Sequence, residues 1–116
     1  MFLLRFADPV AGQSFDRLPR KAQIRFNQAF DRLARNPRSP TLDLDIHQLS
    51  GYQNVWTLRI PPWRGLYAID GNEVVFLVFG HRSNIYPLLH ALPPPRGRFI
   101  APPRVRRRGA RGNART

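Results

Sequence analysis

The stretch Val55–Tyr86, VWTLRIPPWRGLYAIDGNEVVFLVFGHRSNIY, decides how the chain folds. Val55–Ile60 alternates, with Trp56, Leu58 and Ile60 on one face and Val55, Thr57 and Arg59 on the other, the period of a half-buried strand. Pro61 and Pro62 cannot donate ladder hydrogen bonds, so the chain turns or leaves the sheet there. Trp63–Asp70 reads as the next strand, with Gly65, Tyr67 and Ile69 on one face and Arg64, Leu66 and Ala68 on the other. Gly71-Asn72 is a two-residue hairpin signal. Glu73–Gly80 is apolar on both faces, which suits the middle of a sheet.

The hairpin fixes a register. With Asp70 facing Glu73, strict alternation sets Arg64 opposite Phe79 and Pro62 opposite His81, and opposed residues share a face. His81 then stands on the Arg64 side and Arg82 turns away. Gly80 tolerates a bulge that reverses this, so both residues stay candidates.

Working back from this meander, Phe2–Ala7 supplies one more strand, the natural neighbour for the apolar Glu73–Gly80. Asp8-Pro9 starts a helix, an N-cap acceptor followed by proline at the first helical position. Ala11, Phe15 and Leu18 form its inward face, and Pro19 breaks it. A second helix runs to Arg35, burying Ala22, Phe26, Ala29, Phe30 and Leu33. Beside that stripe run Lys21, Arg25, Gln28, Arg32 and Arg35, which either grip a nucleic-acid backbone or form a solvated face. Ile24 fits neither stripe. The helical pair needs an apolar sheet face to cover, and the Trp56 side supplies it, so Arg59 points away from the helices. Residues 38–54 read as a polar connector, with Asp43 and Asp45 as surface residues and His47 without an evident partner. His90 likewise has no partner that suggests a site.

Composition narrows the class. At 116 residues there is room for one small domain and a tail. The absence of cysteine leaves neither disulfides nor a thiolate metal site, which fits a reducing compartment. MFLLRFADP is too short an apolar run for a secretory signal, and no run approaches bilayer-spanning length, so the expectation is a soluble cytoplasmic protein. The formal charge is +12, but residues 93–116 carry eight arginines and no acid, while 1–92 carry eleven basic against seven acidic residues. The body is therefore only moderately basic. Its case for binding nucleic acid rests on where Arg59, Arg64 and Arg82 stand.

Those positions suit phosphate chemistry. An arginine fork matches phosphate oxygens bidentately and keeps its charge. A phosphodiester attacked by its own 2′-hydroxyl needs a group to hold the pentacoordinate phosphate and others to take and give protons. Arg64 and Arg82 suit the first task, and Tyr86 and His81 the others. Histidine has the better intrinsic pKa, near ~6.5 against ~10 for a phenol. The alternatives are structural: Arg64 covering apolar sheet with its stem, Tyr86 capping the core, His81 orienting neighbours.

The order L-x-G, W-x-L-R-I, W-R, Y-x-I-D, G-H-R, I-Y over residues 49–86 resembles the RelE/ParE toxin superfamily, the toxin halves of bacterial type II toxin–antitoxin pairs. The basic residues of the meander and its G-H-R…Y end look like the RelE branch, which cuts messenger RNA in the ribosomal A site. The resemblance implies an α+β fold over residues 1–92: an N-terminal strand, a two-helix hairpin, a three-strand antiparallel meander completing a four-stranded sheet, and a short C-terminal helix near Pro87. It also implies roles. Arg59 contacts the RNA backbone, Arg64 and Arg82 act at the scissile phosphate, and Tyr86 orients or activates the 2′-hydroxyl; His81 stays a candidate acid or base on its own chemistry. Lys21 and Arg25 are candidate RNA contacts from the second helix. Cleavage in the family needs no metal and no small-molecule cofactor. The partners implied are a cognate antitoxin, the ribosome and mRNA, with no membrane. Thr57 departs from the basic residue common in RelE-like members, Pro61-Pro62-Trp63 from a glycine-containing turn, and Pro87 from a polar helical residue. A ParE-like gyrase poison, and a non-catalytic RNA- or antitoxin-binding module, are the competing readings. The Pro/Arg-rich segment 93–116 is expected to be disordered and to add sequence-independent RNA affinity.

Overall fold

The computed structural model describes residues 1–38 and 44–90; the tail expectation lies outside them, as does Asp43. The elements run β1 (Leu3–Phe6), α1 (Pro9–Asp16), α2 (Arg20–Arg35), β2 (Asp45–Gln48), β3 (Trp56–Ile60), β4 (Trp63–Asp70), β5 (Glu73–His81) and α3 (Ile85–His90). They form one sheet in the order β1-β5-β4-β3-β2, with β1 parallel to β5 and every other pair antiparallel. The α+β architecture and the strand–helix–helix–meander order are those expected. The strand count is five rather than four, because part of the segment read as a polar connector pairs with β3 as an edge strand. The closing helix begins at Ile85, ahead of Pro87, so this proline falls in the first turn, where its missing N–H costs nothing.

Local signals account for the helices. The Asp8 carboxylate accepts the Ala11 N–H at 2.9 Å, and Pro9 follows as the first helical residue. α1 buries Ala11 and Phe15, and α2 buries Ala22, Phe26, Ala29, Leu33 and Ala34. Ile24 is left 46% exposed, in keeping with its place outside the stripe. Both helices cover one sheet face, where Leu58, Ile60, Tyr67, Ile69, Val74, Phe76 and Phe79 join their apolar residues. The Tyr67 hydroxyl donates to the Pro37 carbonyl at 2.6 Å, tying the end of α2 to the centre of the sheet. Burial pushes that phenol well above its ordinary range. At the far end, the Asn54 side chain accepts from Ile69 N–H (3.1 Å) and donates to Ile69 C=O (3.0 Å), taking the place of a strand neighbour.

The other sheet face is covered by α3 together with Leu49, Tyr52 and Val55 of the segment before β3. Ile85 and Leu89 pack there on Leu66, Ala68, Val75, Leu77 and Val78. That Leu77 and Val78 both lie on this face marks a bulge. The hairpin begins as expected, Asp70 facing Glu73, and holds to Tyr67 opposite Phe76. The ladder then skips Leu77 and resumes with Leu66 opposite Val78. Downstream pairing is displaced by one residue: Arg64 faces Gly80, not Phe79, and Trp63, not Pro62, faces His81. The irregularity sits at Leu77, three residues before the glycine where the sequence places it.

Candidate functional site

The bulge separates His81 from Arg64. His81 shares a face with Trp63, their rings meeting edge-on at 5.3 Å, on the side of the helical pair. Its Nδ1 accepts the Ser83 N–H at 3.1 Å and lies 2.9 Å from Ser83 Oγ, so the ring is held by its own turn. The strict-alternation placement of His81 beside Arg64 is therefore corrected. Arg82 is exposed just past the end of β5, two residues after Gly80, at the register position of the Arg64 face. Its N–H donates to Pro62 C=O at 2.9 Å, which pins the strand end to the β3–β4 turn.

The face turned away from α1 and α2 carries a row across four strands: Asp45 opposite Arg59, Arg59 opposite Arg64, Arg64 opposite Gly80. Tyr86 reaches down from α3 onto this row. Its hydroxyl accepts from Arg64 Nη1 at 2.5 Å, and the guanidinium carbon lies 5.7 Å from the ring centroid. Arg59 and Arg64 thus face each other directly, an arrangement that destabilises a sheet by roughly 0.2–1 kcal/mol unless something anionic lies between them. Asp45, the acid nearest in register, does not neutralise Arg59; its carboxylate is 2.6 Å from His47 Nε2 instead. Arg59 Nε is buried with no hydrogen-bond partner among the described residues. An oxyanion held between the two guanidiniums would relieve the repulsion.

Arg59, Arg64 and Tyr86 are thus brought together, and Arg82 lies at the rim. Lys21 and Arg25 are not part of this group: both are exposed on α2, across the sheet from it. Sequence reasoning passed over Asp45 and His47, which stand on the groove face because their register partners are Arg59 and Thr57. The available signal was the alternation Leu44-Asp45-Ile46-His47, whose apolar members are both buried. Thr57, between His47 and Leu66 in the next row, is 2% exposed. A separate cavity of about 630 Å³ opens on the other side of β5, among Val10, Ser14, Arg17, Trp63, His81 and Leu88. Among the described residues no three His, Asp or Glu side chains converge as metal ligands. No helix among them is long and apolar enough to cross a membrane.

This fold matches known proteins of one kind. The family model of the ParE toxin of type II toxin–antitoxin systems (parDE) matches residues 3–86. The chain belongs to this family, within the RelE/ParE superfamily, and is a toxin of the type II class. Among solved structures it resembles the RelB–RelE antitoxin–toxin complex of Methanococcus jannaschii, with TM-score 0.58 and 24% identity over 72% of this chain and 95% of that one. The RelE–RelB complex of Pyrococcus horikoshii gives 0.57 and 20%, covering 70% and 94%. The RelBE2 toxin–antitoxin complex of Mycobacterium tuberculosis gives 0.52 and 26%, covering 70% and 98%. A search of curated proteins returns no match.

Proposed function

We propose that the protein is a ribosome-dependent endoribonuclease that cuts mRNA by attack of a 2′-hydroxyl on the adjacent phosphate. The observation that carries this is the Arg64–Tyr86 contact at 2.5 Å on a face where Arg59 stands opposite Arg64. The scissile phosphate lies between the two guanidiniums, which neutralise the charge that grows on its equatorial oxygens. The Tyr86 oxygen, held by Arg64, takes the 2′ proton as the 2′-oxygen bonds to phosphorus. The P–O5′ bond breaks and the 5′-oxygen is protonated, giving a 2′,3′-cyclic phosphate and a 5′-hydroxyl. Arg82 guides the RNA strand at the rim. The reaction uses no cofactor and takes place in the cytoplasm.

A cognate antitoxin holds the toxin inactive by laying an extended or helical acidic segment over this basic face. That solved relatives are antitoxin–toxin complexes supports such a partner. A second reading, a gyrase poison that cuts nothing, is favoured by the ParE name of the matched family and by the turning of His81 away from the groove. A binding module without catalysis is the third.

One experiment separates them. Wild-type protein and the Arg64→Ala/Arg82→Ala variant are added to programmed ribosomes and the RNA ends are mapped. Cleavage within A-site codons, reduced by about 10²-fold or more in the variant, is the expected result. Intact messages with a supercoiling defect point to gyrase. Intact messages with retained RNA affinity leave the binding module.

A further inference from the structure

We infer that His47, braced by Asp45, is the general acid that protonates the departing 5′-oxygen; this rests on the endoribonuclease reading above. In-line displacement places the entering 2′-oxygen and the leaving 5′-oxygen on opposite sides of phosphorus, so the acid and the base flank the groups that hold the phosphate. The order of side chains across the sheet meets this requirement. His47 and Asp45 stand on edge strand β2, Arg59 on β3 and Arg64 on β4, and Tyr86 descends from α3 onto Arg64.

Two inter-strand steps, roughly 10 Å, separate β2 from β4, and His47 sits one row along from Arg59, opposite Thr57 and roughly 7 Å down the strand, so imidazole and guanidinium approach one phosphate diagonally. Of the three histidines, His81 lies on the opposite sheet face and His90 ends α3, 3.3 Å from the Tyr52 hydroxyl. That leaves His47 as the imidazole carried by a strand of the face that holds the two arginines.

Asp45 serves the same arrangement. Its carboxylate holds His47 Nε2 at 2.6 Å, which fixes the ring and leaves Nδ1 to face the substrate. Held this way, Asp45 does not occupy Arg59, whose guanidinium has no ion-pair partner among the described residues. In the step itself Nδ1–H passes its proton to O5′ as the P–O5′ bond breaks, while the Tyr86 oxygen receives the 2′ proton. Each group ends one proton from where it began, and solvent exchange restores both. His47 is half exposed, so its replacement leaves the core untouched.

The test uses ribosomes programmed with a short mRNA whose cleaved linkage carries either the natural 5′-oxygen or a 5′-bridging sulfur, a leaving group that departs without a proton. His47→Gln is expected to lose about 10²-fold or more on the oxygen linkage and almost nothing on the sulfur one. Asp45→Asn is expected to show a smaller loss with the same oxygen-specific character. An equal loss on both linkages makes His47 a binding or structural residue and overturns the assignment, and so does His47→Gln activity equal to wild type. Wild-type protein that cuts neither linkage instead removes the endoribonuclease reading itself.

Discussion

Gly65→Ala tests the packing that sets the site in place. A methyl group built at Gly65 falls 2.7 Å from Phe79 Cε2, 2.9 Å from Phe79 Cδ2 and 3.2 Å from Phe76 Cε1, against an ordinary contact of about 3.5–4.0 Å. The Phe79 ring has little room to yield. It is 2% exposed, stacked on Phe76 at 4.9 Å and edge-on to Phe15 at 5.1 Å and Phe26 at 5.3 Å. Overpacking of this kind costs about 1–3 kcal/mol, and a displaced ring also weakens contacts of ~0.5–1.5 kcal/mol each. The stiffer unfolded chain of the alanine variant returns ~0.4–1 kcal/mol. The expected net loss is about 2–3 kcal/mol, read as a lower urea midpoint at unchanged slope and a melting temperature lower by roughly 10–20 °C. The same change in a Phe79→Leu background, where the ring is gone, should cost less than about 1 kcal/mol. A Gly65→Ala variant within ~0.5 kcal/mol of wild type, or one that loses equally in both backgrounds, refutes the reasoning.

Two further predictions concern buried polar groups. Because burial raises the Tyr67 phenol, its contribution to stability is intact below the ordinary phenol range near ~10 and is lost as pH rises above it, where the unfolded chain ionises first. Unfolding free energies measured from about pH 9 to 11 should therefore fall in wild type and fall less in Tyr67→Phe, which at neutral pH loses about 1 kcal/mol with its bond to Pro37. Ser14 Oγ accepts the Phe79 N–H at 2.9 Å and donates to Ala11 C=O at 2.7 Å, so Ser14→Ala leaves a β5 N–H unmet and should cost about 1–3 kcal/mol by urea denaturation, with faster amide exchange at Phe79.

Much of this architecture is legible in the residues. The Asp8-Pro9 start and the turn at Gly71-Asn72 are local signals that form as read, and so do the stripes of α1 and α2, except that Phe30 is only partly buried and Leu18 falls past the end of α1. Arg59 and Arg64 meet because their strand positions follow from plain alternation, and Tyr86 reaches Arg64 from α3. Two features escape. β2 is four residues long and polar at all but Ile46, and its identity as a strand comes from pairing with β3 rather than from propensity. The bulge at Leu77 is hidden by composition. In VVFLVF every residue is apolar and both faces are buried, so a slip of one residue changes no hydrophobic pattern that reading could detect. Its effect surfaces four residues later, where His81 rather than Arg82 turns to the helical side.

The parallel pairing of β1 with β5 joins Leu3 to Glu73 and Phe6 to Phe76, segments almost a whole domain apart along the chain. Contacts of such long range are slow to form, and here they have no partner at all until most of the polypeptide exists. A growing chain carries β1 and the helical hairpin for most of its synthesis with nothing to close against, and Tyr86 emerges later still. Fragments that end before Glu73 can assemble neither the sheet nor the arginine–tyrosine face. Assembly of the arginine–tyrosine face is thus coupled to synthesis through Tyr86, so products that stop before this residue lack the face altogether.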